Sequence, residues 1–291
     1  MIRFGLLILS TILTMLFLVQ LIRGKKYDVA LERLEGNEYT LSEIYGVGME
    51  WQETIPALDY TGKMGQQIGG SIAMIYGNDY REYYTRITLA KAYTFAHFGC
   101  CASTLLGMIL FSDATGLLIA AAGIAVSFFL AAEELRKPGN QVEEIADELT
   151  MELPNMVTKL ALLVNSGVIM REAWFYVTEH TSGKLHEYLQ VSCDQMENGY
   201  SAQDAIYSFG NASTSKEVKK LSSVLVQGME KGNSELCSLL IQQSSELWAT
   251  KRQKMLQKGE EAATKLLLPT MMMFVGLIIV IVTSSLGGMG L

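Results

Sequence analysis

Four long stretches without a charged residue constrain this chain most. They cover residues 4–22, 93–111, 114–132 and 266–286, each of 19 residues or more. A helix of about 20 apolar residues crosses the roughly 30 Å hydrocarbon layer of a bilayer. The whole chain is correspondingly rich in hydrophobic residues (49%), poor in charged ones (18%) and positive in mean hydropathy (+0.23). We therefore predict an all-α integral membrane protein with four transmembrane helices.

The first apolar stretch is predicted to be a retained anchor. A cleaved signal peptide carries its positive charge before the apolar core and small residues at the cleavage site. Here Arg3 alone precedes the core, whereas Arg23, Lys25 and Lys26 follow it, and "LVQLIRGKK" contains no suitable cleavage site.

The basic residues predict the orientation. Of the 23 Lys and Arg residues, only Arg3 lies outside residues 23–92 and 133–265. Because basic residues stay on the cytoplasmic side, both of these regions are expected in the cytoplasm and both termini outside. The net charge of −7 argues against a nucleic-acid partner, since binding to phosphates needs a basic surface.

The sequence offers no set of residues that predicts catalysis. No Ser/His/Asp, Cys/His or paired-carboxylate arrangement is apparent, so we expect no enzyme activity and no cofactor or metal. The four cysteines (Cys100, Cys101, Cys193 and Cys237) form no CxxC pair and are interpreted as reduced, small hydrophobic residues. The predicted spans also lack Asp, Glu, Lys and Arg, which argues against ion or solute transport.

Residues 23–92 are predicted to be helical but interrupted. Gly36 is expected to end a short helix, and Thr40 with Glu43 matches a capping box. The glycine-rich "YTGKMGQQIGGS" suggests a phosphate-binding loop, but Met64 follows Lys63 where such a loop needs Ser or Thr. A helix from Asn78 is expected to continue into the second span.

Residues 133–265 are predicted to form a cytoplasmic, antiparallel six-helix bundle. Pro138-Gly139 is expected to mark the exit from the third span. Apolar residues then recur at spacings of three and four, as in helices with one buried face. The predicted core positions are Leu153, Val157, Leu160, Val164, Met170, Ala173, Trp174, Val177, Leu185, Leu189, Cys193, Met196, Ala202, Ala205, Ile206, Phe209, Val218, Leu221, Leu225, Met229, Leu236, Leu240 and Leu247. Ser201 with Asp204 and Thr214 with Glu217 are predicted helix caps.

Three glycines are predicted to lie at helix turns: Gly167, Gly199 and Gly232. Two charged clusters are candidate contact sites. The basic cluster, just before the fourth span, comprises Lys251, Arg252, Lys254 and Lys258, which would contact anionic lipid headgroups or a protein partner. The acidic cluster comprises Glu143, Glu144, Asp147, Glu148 and Glu152, which would form a solvated helix face or meet basic residues of a partner.

Several motifs in the last half of the chain occur in a recognisable order. They are the Leu-Pro pair at 153–154, the Ser-Gly turn at 166–167, "GYSAQDA" at 199–205, and the Glu-Glu-Ala helix that leads to Lys-Leu-Leu-Leu-Pro at 265–269. Over residues 140–288 the chain resembles the type II secretion system F domain, in the form found in Tad/Flp pilus inner-membrane proteins of the TadB and TadC type. Residues 72–93 also resemble the TadC-type helix before the second span.

The resemblance implies a function that composition alone does not indicate. Proteins of this family are non-enzymatic platforms in the bacterial inner membrane. They work with a hexameric cytoplasmic ATPase, a second related platform protein and prepilin subunits, and help to lift pilins from the membrane into a fibre. The resemblance therefore implies a homo- or hetero-oligomeric pilus or secretion platform. The alternative is a membrane signalling or permease-like transport subunit, which would need polar residues in the spans or a ligand pocket between them.

The predicted segments are a first anchor (1–22), a cytoplasmic helical segment (23–92), a transmembrane hairpin (93–132), the cytoplasmic bundle (133–265) and the fourth transmembrane helix with a short external tail (266–291).

Overall fold

The computed structural model describes residues 2–31, 42–55, 59–110 and 114–288, and every regular element in these ranges is helical. Short 3-10 helices lie at Lys25–Tyr27 and Ser42–Ile44. The α-helices of the described ranges are α1 (Ile2–Gly24), α2 (Asp28–Leu31), α3 (Gly46–Thr54), α4 (Lys63–Tyr76), α5 (Arg81–Leu110), α6 (Ala114–Asn165), α7 (Met170–Glu179), α8 (Gly183–Glu197), α9 (Ala202–Ala212), α10 (Lys216–Lys231) and α11 (Asn233–Gly288).

Four of these helices, α1, α5, α6 and α11, are long and apolar enough to cross a membrane. They contain the charge-free stretches at 4–22, 114–132 and 266–286, and residues 93–110 of the remaining one. Both α6 and α11 continue well beyond their apolar stretch, with lengths of 52 and 56 residues. Pro269 lies inside α11, and the helix continues on both sides of this proline. The chain divides into two compact units, residues 1–144 and 145–291.

In the first unit, α3 packs against α1 and α5 through glycines. A Cβ atom added to Gly24 would lie 2.6 Å from the carbonyl carbon of Gly46, and one added to Gly48 would lie 2.0 Å from the carbonyl oxygen of Ala90. The Gly48 N–H donates to the Thr94 hydroxyl at 3.0 Å. No larger residue would permit these backbone approaches, so the glycines determine where the three helices meet.

His97 joins the same three helices by hydrogen bonds. The Trp51 indole N–H donates to His97 Nδ1 at 3.1 Å, and His97 Nε2 lies 3.2 Å from the Leu13 carbonyl oxygen. An indole nitrogen can only donate, so Nδ1 must accept and Nε2 must carry the proton. The arrangement therefore specifies a neutral imidazole that connects α1, α3 and α5.

The apolar parts of α5 and α6 contact each other through small residues. A Cβ added to Gly99 would lie 2.2 Å from Ser127 Oγ, and one added to Gly123 would lie 2.4 Å from Ser103 Cβ. A Cβ on Gly107 would lie 2.6 Å from the carbonyl oxygen of Gly116, at the other end of the same contact. Small residues four positions apart let two helix backbones approach closely, as is common between transmembrane helices.

The second unit has one large hydrophobic core, to which α7, α8, α9, α10, the end of α6 and the start of α11 all contribute. All the predicted core positions belong to it: Ala202 and Met229 are partly buried, and the others are buried. Trp174 lies inside this core, donates its indole N–H to Ser192 Oγ at 2.9 Å, and packs edge-on against Phe209. The spacing of apolar residues therefore predicted the buried face of each helix correctly.

Pro138 and Gly139, which are predicted to mark the exit from the third span, lie inside α6, which runs through both residues. Two predicted helix boundaries need correction. The helix predicted from Asn78 begins at Arg81, after Gly77 has ended α4 with φ of +85°. The N-cap of α10 is Ser215 rather than Thr214.

Other predicted local features have simpler outcomes. The Ser201 cap is confirmed, since its hydroxyl accepts from the Asp204 N–H at 3.1 Å and donates to the Asp204 carboxylate. The glycine-rich stretch at 62–71 lies largely within α4, so it is a helix and not a phosphate-binding loop. The predicted end of a helix at Gly36 and the Thr40 cap lie outside the described residues, as do residues 111–113 between the two spans of the predicted hairpin.

Candidate functional site

One residue of the acidic cluster on α6 pairs with two residues of the basic cluster on α11, all within the second unit. Lys254 Nζ lies 2.8 Å from Asp147 Oδ1, and Lys258 Nζ lies 3.1 Å from Asp147 Oδ2. Lys254 and Lys258 are four residues apart, so they share one face of α11. Hydrogen bonds from Lys254 and then Lys258 hold the pKa of Asp147 below its usual value, although partial burial opposes this. We call these three residues the α6–α11 ion-pair cluster.

The remaining members of the two predicted clusters differ in exposure. Glu143, Glu144, Glu148 and Arg252 are exposed to solvent. Lys251 is half-buried, and its ammonium group lies 5.1 Å from the centre of the Trp248 ring, within range of a cation–π contact. Four of the nine candidate contact residues thus lie outside the ion pairs and present their charge to solvent, whereas the ion-pair cluster satisfies much of its charge within the chain.

A polar cluster next to these ion pairs was not predicted from the sequence. Ser215 Oγ donates to Glu217 Oε2 at 2.9 Å, and Thr150 Oγ1 lies 3.0 Å from Ser215 Oγ and 3.3 Å from Glu217 Oε2. Burial favours the protonated form of Glu217, but hydrogen bonds from its own backbone N–H and from Ser215, with the charge of Lys254, outweigh burial and lower its pKa. One signal for this cluster was present in the sequence, since Thr150 interrupts the apolar face of α6.

Glu152, the last residue of the acidic cluster, belongs to α6, and its side chain lies against the start of α8. A Cβ added to Gly183 would lie 2.7 Å from Glu152 Oε1, and Gly183 has φ of +75°. Burial raises the pKa of Glu152, although a hydrogen bond from the Leu185 backbone opposes the increase. The carboxylate is thus half-buried, burial outweighs the helix amides in setting its pKa, and it is not part of the exposed face made by Glu143, Glu144 and Glu148.

The predicted turn glycines follow the ends of α6, α8 and α10. Gly167, Gly199 and Gly232 have φ of +94°, +93° and +105°, a range that L-residues with a side chain rarely adopt. After Gly167, the Val168 N–H donates to the Leu163 carbonyl at 3.1 Å, and after Gly199 the Tyr200 N–H donates to the Gln195 carbonyl at 3.1 Å. These bonds across five residues are typical of a Schellman motif, which satisfies the last carbonyls of a helix. The turns are therefore explained by the backbone alone.

The described residues contain no group of three or more His, Cys, Asp or Glu side chains placed to hold a metal ion. His180 stacks on Tyr176, and His186 Nδ1 lies 2.9 Å from the Thr178 carbonyl oxygen, so both rings have local contacts. All four cysteines are free thiols, and burial raises the pKa of Cys193. A raised pKa makes a thiol less reactive at neutral pH.

We compared the chain with protein-family models, with curated proteins and with solved structures, and none of these comparisons finds a match. The assignment of a function therefore depends on the residues and on the geometry described above.

Proposed function

We propose that the chain is a non-enzymatic platform protein of the bacterial inner membrane, part of a Tad/Flp (type IV-like) pilus or a type II-like secretion machine. In this role it would couple a cytoplasmic hexameric ATPase to the extraction of pilins and the assembly of a fibre. The observation that carries the proposal is the continuity of α6 and α11. Each is one helix that contains both a membrane-length apolar stretch and residues of the large core.

This continuity suits the transmission of force. Leu236, Leu240 and Leu247 of α11 are buried in the core, whereas the large side chains described from Leu266 onward are exposed and apolar. At 1.5 Å per residue, a helix of this length extends about 84 Å. Because a helix resists bending far better than a loop, a tilt or rotation imposed on the core would reach the apolar end of α11.

The α6–α11 ion-pair cluster would stiffen this connection. Asp147 pairs with Lys254, Thr158 Oγ1 lies 2.9 Å from Ser244 Oγ, and Asn165 Oδ1 accepts from Cys237 at 3.3 Å. Residue numbers rise along α6 as they fall along α11, which supports the proposed antiparallel six-helix bundle. The distribution of basic residues supports a cytoplasmic location for both large regions, with both termini outside.

The exposed charges are the proposed partner contacts. Glu143, Glu144, Glu148 and Arg252 are solvent-exposed. We assign these residues to contacts with the ATPase or with a second, related platform protein, in a homo- or hetero-oligomer that also receives prepilin subunits.

A helix-breaking substitution in α11 tests the coupling. Glu260 is exposed, and it lies between the core and the apolar stretch. Glu260→Pro would kink the helix there at a cost of about 3 kcal/mol without touching the core, whereas Glu260→Ala would keep the helix intact. We expect Glu260→Pro to insert in the membrane and keep its folded core but to lose fibre assembly or secretion, and Glu260→Ala to assemble normally. Normal assembly with both variants would contradict the coupling role.

A separate experiment tests the assignment to a secretion machine. The tagged chain would be purified from its own cells in a mild detergent, and the proteins that accompany it identified by mass spectrometry. We expect a hexameric ATPase and a second platform protein, and we expect a deletion strain to lose fibres while the ATPase still hydrolyses ATP. Normal piliation in that strain, or solute uptake by the purified chain in vesicles, would instead support a permease-like subunit.

A further inference from the structure

Two rows of exposed side chains run along the surface where α6 and α11 lie side by side in the second unit. Within each row the residues are seven positions apart: Glu148, Asn155 and Leu162 on α6, and Ile241, Trp248 and Met255 on α11. Residues at this spacing lie on one side of a helix. The four large apolar side chains among them are 45–66% exposed, and a continuous apolar surface of this kind marks a contact site. We call these six residues the outer rows.

Hydrogen bonds between the two helices place the outer rows next to each other. Thr158 Oγ1 lies 2.9 Å from Ser244 Oγ, and the Trp248 indole N–H donates to Thr158 Oγ1 at 3.2 Å. Residue numbers rise along α6 as they fall along α11. Leu162, one turn beyond Thr158, therefore lies level with Ile241, one turn before Ser244. These two exposed side chains belong to one apolar surface.

The two sides of this surface carry opposite charges at one end. Glu148 belongs to the row on α6, and Arg252, one turn after Trp248, lies beside the row on α11. Both side chains are exposed, and neither forms an ion pair within the residues that the structure describes. Asp147, next to Glu148, pairs with Lys254, two residues after Arg252, so the acidic and the basic side chain lie at almost the same level.

The bilayer does not reach the outer rows. The fourth apolar stretch begins at Leu266, and at 1.5 Å per residue Met255 lies about 16 Å before it along α11 and Ile241 about 37 Å before it. The headgroup layer extends only about 5–8 Å beyond the hydrocarbon on each side. The partner of this surface is therefore a protein and not a lipid.

A second copy of the chain complements this surface. Copies in one membrane share one orientation, because their basic residues stay on the same side. Such copies are related by a two-fold axis along the membrane normal, which keeps every residue at its own level. If this axis passes along the outer rows, the α6 row of each copy faces the α11 row of the other. Leu162 then meets Ile241, and Glu148 meets Arg252, twice in each dimer.

We propose that a second copy of this chain covers the outer rows in a two-fold symmetric dimer, in which Leu162 packs against Ile241 of the other copy and Glu148 pairs with its Arg252. The opposite charges of these two exposed residues carry the choice of partner, since complementary charges across an interface favour one register and one partner. The inference rests on the membrane location in the proposed function, and it narrows the contact proposed for Glu148 and Arg252 to another copy of the chain.

Charge reversal provides the sharpest test. Full-length chains labelled with a donor or an acceptor fluorophore are reconstituted together in phosphatidylcholine vesicles, and energy transfer gives the dissociation constant of the dimer. Glu148→Arg and Arg252→Glu each place like charges in both symmetry-related pairs, so we expect each variant alone to dimerise about tenfold more weakly. When the two variants are mixed, both pairs are oppositely charged again, and dimerisation should return close to that of the wild type. Glu197→Arg, an exposed change on α8 outside the outer rows, is the control.

The apolar contact has a matched pair of variants. Ile241→Ala should weaken the dimer about fivefold, because it removes apolar contact area from both halves of the interface. Val191→Ala truncates a side chain of almost the same exposure on α8, outside the outer rows, and should leave the dimer unchanged.

Three results would overturn the proposal. Unchanged dimerisation in both charge variants would show that copies of the chain meet elsewhere. Failure of the mixed variants to recover would show that Glu148 and Arg252 do not pair between copies. A wild-type chain that stays monomeric at every density would exclude a second copy as the occupant. If a strain carrying Glu148→Arg nevertheless lost its fibres, the platform function would stand and the occupant would be a different protein.

Discussion

The core of the second unit and the α5–α6 pair both hold helices together, but they use opposite kinds of side chain. The core buries large residues such as Trp174, Leu160 and Met156. The α5–α6 contact is made by glycine and serine, with Gly123 against Ser103 and Gly99 against Ser127. In water, large apolar side chains associate because burial removes them from solvent. In a bilayer the lipid is as apolar as the side chains, so close backbone packing must supply the attraction instead.

Replacing a core leucine by a charged residue should have the largest effect. Leu160 is fully buried, so Leu160→Asp would place an unpaired charge in an apolar site at a cost of several kcal/mol. Leu162, two residues along the same helix, is 66% exposed, and Leu162→Asp is the matched control. We expect the first variant to lose the cooperative thermal transition measured by circular dichroism, and the second to keep it. An unchanged transition in Leu160→Asp would contradict the assigned core.

The second prediction concerns the small-residue contact. Gly123→Leu would force α5 and α6 apart, because even its Cβ would lie 2.4 Å from Ser103 Cβ. Overpacking of this kind costs about 1–3 kcal/mol. Gly276→Leu in the apolar part of α11 is the control, since no atom lies within 4 Å of a Cβ added there. Thermal unfolding of the full chain in detergent should show a lower midpoint for Gly123→Leu only, and equal midpoints would mean that the close approach has no energetic role.

These two regions also differ in how well the sequence predicts them. The core positions were predicted correctly because a helix with one face in a core must repeat apolar residues every three or four positions. A membrane span is apolar on nearly all sides, so the spacing of apolar residues does not single out one buried face, and the contact of Gly99 with Ser127 was not predicted.

The charged residues show a second limit of sequence-based prediction. Asp147 and Lys254 were both identified as candidate contact residues, but they are 107 positions apart, and no local pattern indicated that they pair with each other. Similarly, Thr214 and Ser215 both have a hydroxyl suitable for a helix cap. In the folded chain it is Ser215 that accepts from the Val218 N–H, and its hydroxyl also lies 3.0 Å from Thr150 Oγ1, a contact that no local sequence pattern indicates.

The cap of α10 provides the third prediction and a direct test of that choice. Ser215→Ala would remove the hydroxyl that accepts from the Val218 N–H and donates to Glu217, so it should cost about 1–2 kcal/mol. Thr214 Oγ1 is buried without a hydrogen-bond partner, so Thr214→Ala should be neutral or slightly stabilising. Chemical denaturation should show a lower free energy of unfolding for Ser215→Ala than for Thr214→Ala. A larger loss of stability in Thr214→Ala would show that Thr214, the residue predicted from the sequence, is the N-cap.

The smallest expected effect belongs to the α6–α11 ion-pair cluster, because its side chains are partly exposed and water screens their attraction. Asp147→Asn should cost at most about 1 kcal/mol, and Glu148→Gln, which changes an exposed neighbour, should cost less.

The pKa of Asp147 is lower in the folded chain than its usual value, so the folded state favours the ionised form. The ion pairs therefore stabilise the chain fully at neutral pH, and this contribution disappears as the pH falls below the usual aspartate value of about 4. Melting curves of the wild type and Asp147→Asn should differ at pH 7, and the difference should shrink as the pH falls below about 4 and through the lowered pKa of Asp147. A difference that does not shrink with acidification would show that the side chain matters for packing and not for charge.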